Sequence, residues 1–374
     1  MNYISKDVND KYIVWLAGYN RYIIFQPPAF EVFKRLSKNG EPQQIASYIS
    51  KKYNLDTKES IDFISDIRNN LSKLEEIYSK TNFQHAETDF SRLIKGKVFK
   101  EISYSIFNKS FRFYYSSPWM MDFIHPGIAH LQTENPTNNE TRFYIIDNQD
   151  ELLLGIDGKQ TIRWPVNETA YFKGSVSLQL LNRLYNKTDN DWMGTFHASA
   201  VANNGNAILF PASSGSGKST LSALLAASGF QLISDDLVAI SLDKQEMYPF
   251  PSAITVKQGA FDALLPFYPK LKNKQTKLNT STGKEVAYLV PPHSQVDTPS
   301  KAKALVFPVF SSDTEFEWEA VDNLSLLNDF LTESWIADNQ KAVKTFLDWF
   351  FEIPCYRMRY NNNNKAVEKI GQLF

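Results

Sequence analysis

Lys218 and Ser219 follow a run of small residues, Ala212-Ser213-Ser214-Gly215-Ser216-Gly217, and two adjacent carboxylates, Asp235 and Asp236, come soon after in the chain. These residue types suit phosphate chemistry. A loop that must aim successive backbone N–H groups at phosphate oxygens has little room for Cβ atoms, which accounts for Gly215 and Gly217. A lysine at the start of the next helix can reach β- and γ-phosphates, and the Ser219 hydroxyl can ligate Mg²⁺. The strict pattern has glycine where Ala212 stands, so this is a relaxed form of the motif. The nucleotide contacts expected on this spacing come from Ser213, Ser214, Gly215, Ser216, Gly217, Lys218, Ser219 and Thr220.

The elements that must position these residues are legible around them. Ala207-Ile208-Leu209-Phe210 is an apolar run of strand type ahead of the loop. Leu221, Leu224 and Leu225 recur at helical spacing behind it, and Gly229 stands where a helix ends. Gln231-Leu232-Ile233-Ser234 reads as a strand that delivers Asp235 and Asp236. One carboxylate would hold Mg²⁺ and the other would accept the proton of an attacking hydroxyl. Adjacent strand residues face opposite ways, so both serve only if the strand ends there. We read Asp235 as the base, beside Lys218, and Asp236 with Ser219 on the metal; the spacing requires the pair, and the reverse division stays open. Thr195 to Val201 reads as a further strand, with His197 inside it, and Asn203-Asn204-Gly205-Asn206 as a tight turn back to the loop strand. Taken alone, a histidine in a strand is more often structural.

The stretch FHASAVANNGNAILFPASSGSGKSTLSALLAASGFQLISDDLVAI resembles the catalytic domain of HPr kinase/phosphorylase, a family of bacterial serine kinases with a P-loop fold related to phosphoenolpyruvate carboxykinase. The order histidine strand, hairpin turn, phosphate loop, helix ending in glycine and paired aspartates is shared over this stretch. The resemblance implies ATP and Mg²⁺ as cofactors, phosphoryl transfer to a serine-type hydroxyl, one aspartate as base, and His197 on the phosphate side. Thr220 stands where the HPr enzymes usually carry glutamate, and their downstream glycine-rich signature is not evident. Both departures point away from HPr as substrate, reverse phosphorolysis and a hexamer. They point toward the related kinases of peptide-biosynthesis clusters, lasso-peptide serine kinases among them.

Residues 1–80 read as a separate small domain. Tyr12 to Ala17 and Tyr22 to Phe25 form a hairpin around Gly18-Tyr19-Asn20. Three helical patterns follow, with Phe30, Phe33 and Leu36, then Ile45, Ile49 and Tyr53, then Ile61, Ile64, Ile67 and Leu71 as their apolar stripes. This is a winged-helix-like layout. Its element order resembles the PqqD-like domains, which bind the leader of a ribosomally made precursor peptide as an added strand. Its near-neutral charge argues against nucleic acid.

Residues 81–98 read as a linker and 99–173 as a β-meander segment packed on the core. Within the latter, Pro118 to His130 is an apolar interruption, either core or groove lining. Residues 174–374 are read as the catalytic domain. In it, Lys257 is a candidate phosphate-side cation, although a solvated lysine is the commoner case. Residues 270–285 are basic and polar and read as a loop, and about 325–351 as a long helix.

Composition sets the remaining bounds. The 374 residues are 43% hydrophobic and 22% charged, with net charge −1 and a single cysteine, Cys355. That excludes a disulfide framework and a cysteine metal site, and offers no broad basic surface for nucleic acid. No apolar run approaches the length of a membrane helix, and the polar N-terminus shows no secretory pattern, so no membrane role and a cytoplasmic location are expected. The fold class expected is mixed α/β, α+β overall, with a P-loop core. The function expected is an ATP- and Mg²⁺-dependent kinase acting on a precursor peptide whose leader binds residues 1–80. The alternative is a non-catalytic ATP-binding sensor whose N-terminal domain binds a protein or DNA.

Overall fold

The computed structural model describes residues 2–79, 98–157, 160–273, 276–279, 283–292 and 297–374. The linker read at 81–98 lies outside them, apart from its last residue, as does part of the 270–285 loop. The chain is mixed α/β and divides into two compact units, residues 1–83 with 338–348, and residues 84–337 with 349–374.

In the first unit, strands β1 (Tyr3–Val8), β2 (Lys11–Leu16) and β3 (Arg21–Phe25) form an antiparallel sheet in that order. The sequence reading has only the β2–β3 hairpin. Polar residues such as Ser5, Lys6 and Asp7 hide β1, which is an edge strand and needs little apolar surface. The β1–β2 turn holds Asn9 at φ 51° and Asp10 at φ 58°, the left-handed conformation that Asn and Asp tolerate best. Helices Pro27–Leu36 and Pro42–Tyr53 each begin on proline, whose missing N–H costs nothing in a first turn. They and the helix Thr57–Ser79 enclose Val32, Ile45, Ile49 and Ile64. Val14, Leu16, Phe25, Phe30 and Phe33 join sheet to helices.

The second unit holds a five-stranded sheet, β4 (Lys100–Ile106), β5 (Lys109–Tyr115), β6 (Glu140–Asn148), β7 (Glu151–Ile156) and β8 (Gln160–Pro165), in sequence order. It is not a plain meander, because β5 and β6 run parallel. A parallel neighbour requires a crossover. The apolar interruption supplies it as a helix, α1 (Pro118–Ile128), capped by the Ser117 hydroxyl on the Met120 N–H at 3.2 Å. Met120, Phe123, Ile124 and Ile128 of α1 are buried with Phe113, Phe143 and Leu154 of the sheet. Helix α2 (Thr169–Tyr185) adds Phe172, Val176 and Leu180 to the same cluster. Fully burying such side chains stabilises by about 1.5–3 kcal/mol each.

A ten-stranded mixed sheet carries the rest. It contains β9 (Trp192–Phe196), β10 (Ala198–Asn203), β11 (Asn206–Pro211), β12 (Gln231–Ser234), a strand at Ser300–Phe310 and a strand at Cys355–Tyr360. β10 and β11 pair antiparallel across the Asn204-Gly205 turn, and β11 runs parallel to Ser300–Phe310. Helix α3 (Lys218–Ala227) follows the glycine loop and ends in a left-handed Gly229, φ 98°. The Gly229 N–H bonds the Ala226 carbonyl and the Phe230 N–H the Leu225 carbonyl, a Schellman closure. The helix expected over 325–351 is two helices, Asn323–Thr332 and Gln340–Glu352, split by a short strand, Ser334–Ile336, paired with β9. Tertiary pairing overrides local pattern there, and Asn339, whose Oδ1 accepts the Ala342 N–H at 2.9 Å, starts the second helix.

Candidate active site

The glycine loop leaves β11 at Pro211 and enters α3 at Lys218. Gly215 sits at φ 97° and Gly217 at φ 98°, where L side chains are strained. Gly217 has a second reason to be glycine: a Cβ there would lie 3.1 Å from the Tyr360 hydroxyl and 3.2 Å from the Phe310 Cβ. Ala212 is not left-handed, so the residue that departs from the strict motif has no need of glycine on that ground. The loop is braced by Ser216 N–H to Ser213 O at 3.3 Å and Phe310 N–H to Ser216 O at 3.0 Å. Ser213, Ser214 and Gly215 are exposed, and Ser216, Gly217, Ser219 and Thr220 half-buried. The N-terminus of α3 has neither a side-chain cap nor an acid in its first turn. Its first N–H groups and the helix dipole therefore offer an anion site.

Lys218 is buried, 7% exposed, and its ammonium donates to the Ala212 carbonyl and, at 3.2 Å, to that of Ser213. Burial lowers its pKa, and the charges of Asp235, Glu333 and Asp236 work in the other direction. Lys257, from the strand Ile254–Lys257, donates to the Ser214 hydroxyl at 3.1 Å. It thus belongs to the loop's surroundings, where the sequence pattern favours a solvated lysine.

β12 ends at Ser234, and the two aspartates then diverge. Asp235 is 3% exposed. Its Oδ2 accepts the Thr255 N–H at 3.0 Å, and its Oδ1 is buried without a partner. Burial, then the charge of Asp236, pushes its pKa up to about 6. Asp236 adopts φ 83°, a left-handed conformation unusual for a residue with a side chain. Its Oδ1 lies 3.1 Å from His197 Nδ1 and its Oδ2 3.7 Å from Lys173 Nζ. Burial works against its charge, but the His197 hydrogen bond and the Lys173 charge outweigh it and hold the carboxyl below its usual range. The His197 pKa is raised, chiefly by the same hydrogen bond.

His197 does not lie inside a strand. It occupies the break between β9 and β10, with its N–H on the Glu333 carbonyl at 2.7 Å. β9 and β10 pair with different neighbours, so the chain must turn at His197, and the turn lets the ring meet Asp236. Lys218, Ser219, Asp235, Asp236 and His197 are thereby gathered at one end of α3. Two contributors have no sequence signal: the Thr255 backbone N–H and Lys173, a cation in the first turns of α2, far from the motif in sequence. No helix is long and apolar enough to cross a membrane among the described residues.

The residues fit a magnesium ion bound together with a nucleotide. Among the described residues no cluster of three or more His, Cys, Asp or Glu could hold a metal alone. Mg²⁺, however, usually takes one or two protein ligands and completes its shell with water and phosphate oxygens. The buried, unpartnered Oδ1 of Asp235 beside the Ser219 hydroxyl is such a donor set.

No protein-family model matches the sequence. No curated protein matches it either. Among solved structures, the HPr(Ser) kinase/phosphatase from Coxiella burnetii aligns with 48% of this chain and 92% of its own, at 14% identity and a TM-score of 0.23. A likeness of that size carries no argument about fold or chemistry.

Proposed function

We propose that the chain is an ATP- and Mg²⁺-dependent phosphotransferase acting on a serine-type hydroxyl. One observation supports it above the others. Two adjacent carboxylates stand in opposite environments at the mouth of a glycine loop, one buried with an unpartnered oxygen and its pKa raised, the other half-exposed, paired with His197 and its pKa lowered. Splitting two carboxyls in this way is how a site assigns them different roles.

The contacts favour the reverse of the division read from the sequence. Asp235, near Ser219 and with its buried Oδ1 unpartnered, would hold Mg²⁺ with that hydroxyl, and Asp236, beside His197, would serve the acceptor. The metal, when bound, would neutralise charge on the β- and γ-phosphate oxygens. The loop N–H groups and Lys218, turning from its own loop carbonyls, hold the phosphates. Asp236 orients the acceptor hydroxyl and takes its proton as the oxygen bonds the γ-phosphorus and the bond to the bridging oxygen of ADP breaks. A weakly basic carboxylate suffices, because phosphoryl transfer is loose and catalysis is mostly positioning and charge stabilisation.

The finer reading is that the acceptor lies in a ribosomally made precursor peptide whose leader adds to an edge of the β1–β3 sheet. Both outer strands are edges, and Ile24 on β3 is 43% exposed. Tethering gives effective concentrations of order mM. A leader-bearing precursor should then have a KM at least about tenfold below that of its core peptide.

Calorimetry with ATP and Mg²⁺ beside a ³²P-transfer assay tests the roles. Asp235→Asn should weaken Mg²⁺-dependent nucleotide binding. Asp236→Asn should bind nucleotide normally and lose transfer. Both variants turning over like the unsubstituted chain would sink the assignment.

A further inference from the structure

A cavity of about 60 Å³ opens beside the aspartate pair. Its inner wall is Phe113, Ile124, Ile128, Val176, Leu180 and Phe250, all buried members of the apolar cluster shared by the five-stranded sheet, α1 and α2. Its charged lining is confined to Asp235, Asp236 and Lys173. Ser177, Ser252, Thr255 and Tyr288 also line it, so the cavity joins a mainly apolar wall to the two carboxylates. A simple packing void in that cluster would have no reason to open onto both carboxylates and the lysine that meets one of them.

We infer that this cavity is an acceptor subsite, which takes a small uncharged aliphatic group adjoining the hydroxyl to be phosphorylated; the inference rests on the phosphoryl-transfer reading above. Charge excludes the alternatives. An acidic neighbour would enter beside two carboxylates, and an ionic group of either sign would lose its hydration against the apolar wall. Size excludes others. An engineered apolar cavity that holds benzene measures about 150 Å³, so an aromatic ring does not fit here without displacement, whereas a methyl to isopropyl group does. Such a group belongs either to the residue next to a serine in a peptide or to a small free alcohol.

The test uses the full chain with ATP and Mg²⁺, and two kinds of probe. One is the peptide series acetyl-Xaa-Ser-Xaa-amide with Xaa as Val, Ala, Asp, Lys or Trp, and the other is isobutanol. Val and Ala peptides should be phosphorylated with kcat/KM about tenfold or more above the Asp, Lys and Trp peptides, the discrimination usual for a small apolar pocket. Transfer to isobutanol at comparable efficiency would assign the same pocket to a free alcohol. Filling the cavity by Val176→Phe should erase the preference while ATP affinity stays within about twofold. Ala253→Val, a smaller change on the same lining, should reduce it and guards against misfolding of the first variant. Equal kcat/KM across the series, or no transfer to any probe with ATP bound normally, overturns the subsite and leaves the nucleotide site standing. Failure to bind ATP overturns the phosphoryl-transfer reading and the subsite with it.

Discussion

Two hydrogen-bonded clusters in the second unit use similar materials to different ends. In the five-stranded sheet, the Tyr104 hydroxyl lies 2.8 Å from that of Tyr115 and 2.8 Å from His125 Nδ1. Both tyrosines are fully buried, and burial raises both pKa values, so they stay neutral. Each hydroxyl has a partner. At the end of α3, by contrast, Asp235 Oδ1 and the Ser216 hydroxyl are buried without one, and a left-handed aspartate holds a charge. A closed neutral network adds stability and specifies packing. An open charged one costs stability, and its unpartnered atoms are where the proposed nucleotide and metal would bond. The contrast yields a rule: substitutions in the first cluster should move stability alone, and removing Lys218 or the charge of Asp235 in the second should move activity, with stability unchanged or improved.

The largest effect should come from Lys218→Ala. Removing the ammonium from the transferring phosphate should lower kcat by about 10²–10³, roughly 3–4 kcal/mol. The melting temperature should hold or rise, because this buried cation bonds only carbonyls of its own loop. Wild-type turnover in a folded variant would end the kinase reading.

Asp235→Asn carries the comparison into stability. A carboxyl whose folded pKa is raised stabilises fully below its unfolded value of 3.8 and loses that contribution as pH rises through about 6. At pH 7 the native chain therefore carries a penalty on the order of 3 kcal/mol, which asparagine removes while still accepting the Thr255 N–H. Urea unfolding should show the variant more stable at pH 7, with the gap closing toward pH 4. A variant less stable at pH 7 would make Asp235 a structural group rather than one awaiting a cation.

What was legible in the sequence divides along the same line. The strand, loop and helix over 206–227 were readable because glycine dihedrals, apolar spacing and the C-terminal glycine are local facts. So was the end of β12 at the paired aspartates. The break at His197 was not, since it depends on β9 and β10 choosing different partners. Lys173 and the Thr255 N–H reach the site only through tertiary packing, and no spacing announces them. In the five-stranded sheet, alternation marked the segment as β structure. It could not show that β5 and β6 run parallel, because a parallel and an antiparallel neighbour present the same period.

Tyr115→Phe should cost about 1 kcal/mol in urea unfolding, the worth of one buried hydrogen bond, and leave ATP affinity unchanged. An activity loss exceeding the stability loss would show that the two clusters are coupled.

The smallest effect should be the pH response of His125. Burial lowers its pKa, the charge of Lys277 lowers it further, and Asp122 opposes both. With the ring neutral, Tyr104 can donate to Nδ1 and Tyr115 to Tyr104. Protonation would put a hydrogen on Nδ1 where the hydroxyl hydrogen already lies. A base with a depressed folded pKa binds fewer protons folded than unfolded, so its contribution to stability is complete above its usual 6.5 and declines as pH falls below that. His125→Asn keeps an acceptor at the δ position for the Tyr104 hydroxyl and does not titrate. Melting temperatures of both forms from pH 7.5 to 5 should therefore show a shallow decline specific to the native chain. Parallel curves would mean that His125 titrates alike in the folded and unfolded chains, so that the Tyr104 bond tolerates the charged ring. That result would place the closed cluster outside the reach of pH and leave the aspartate pair to set the molecule's response.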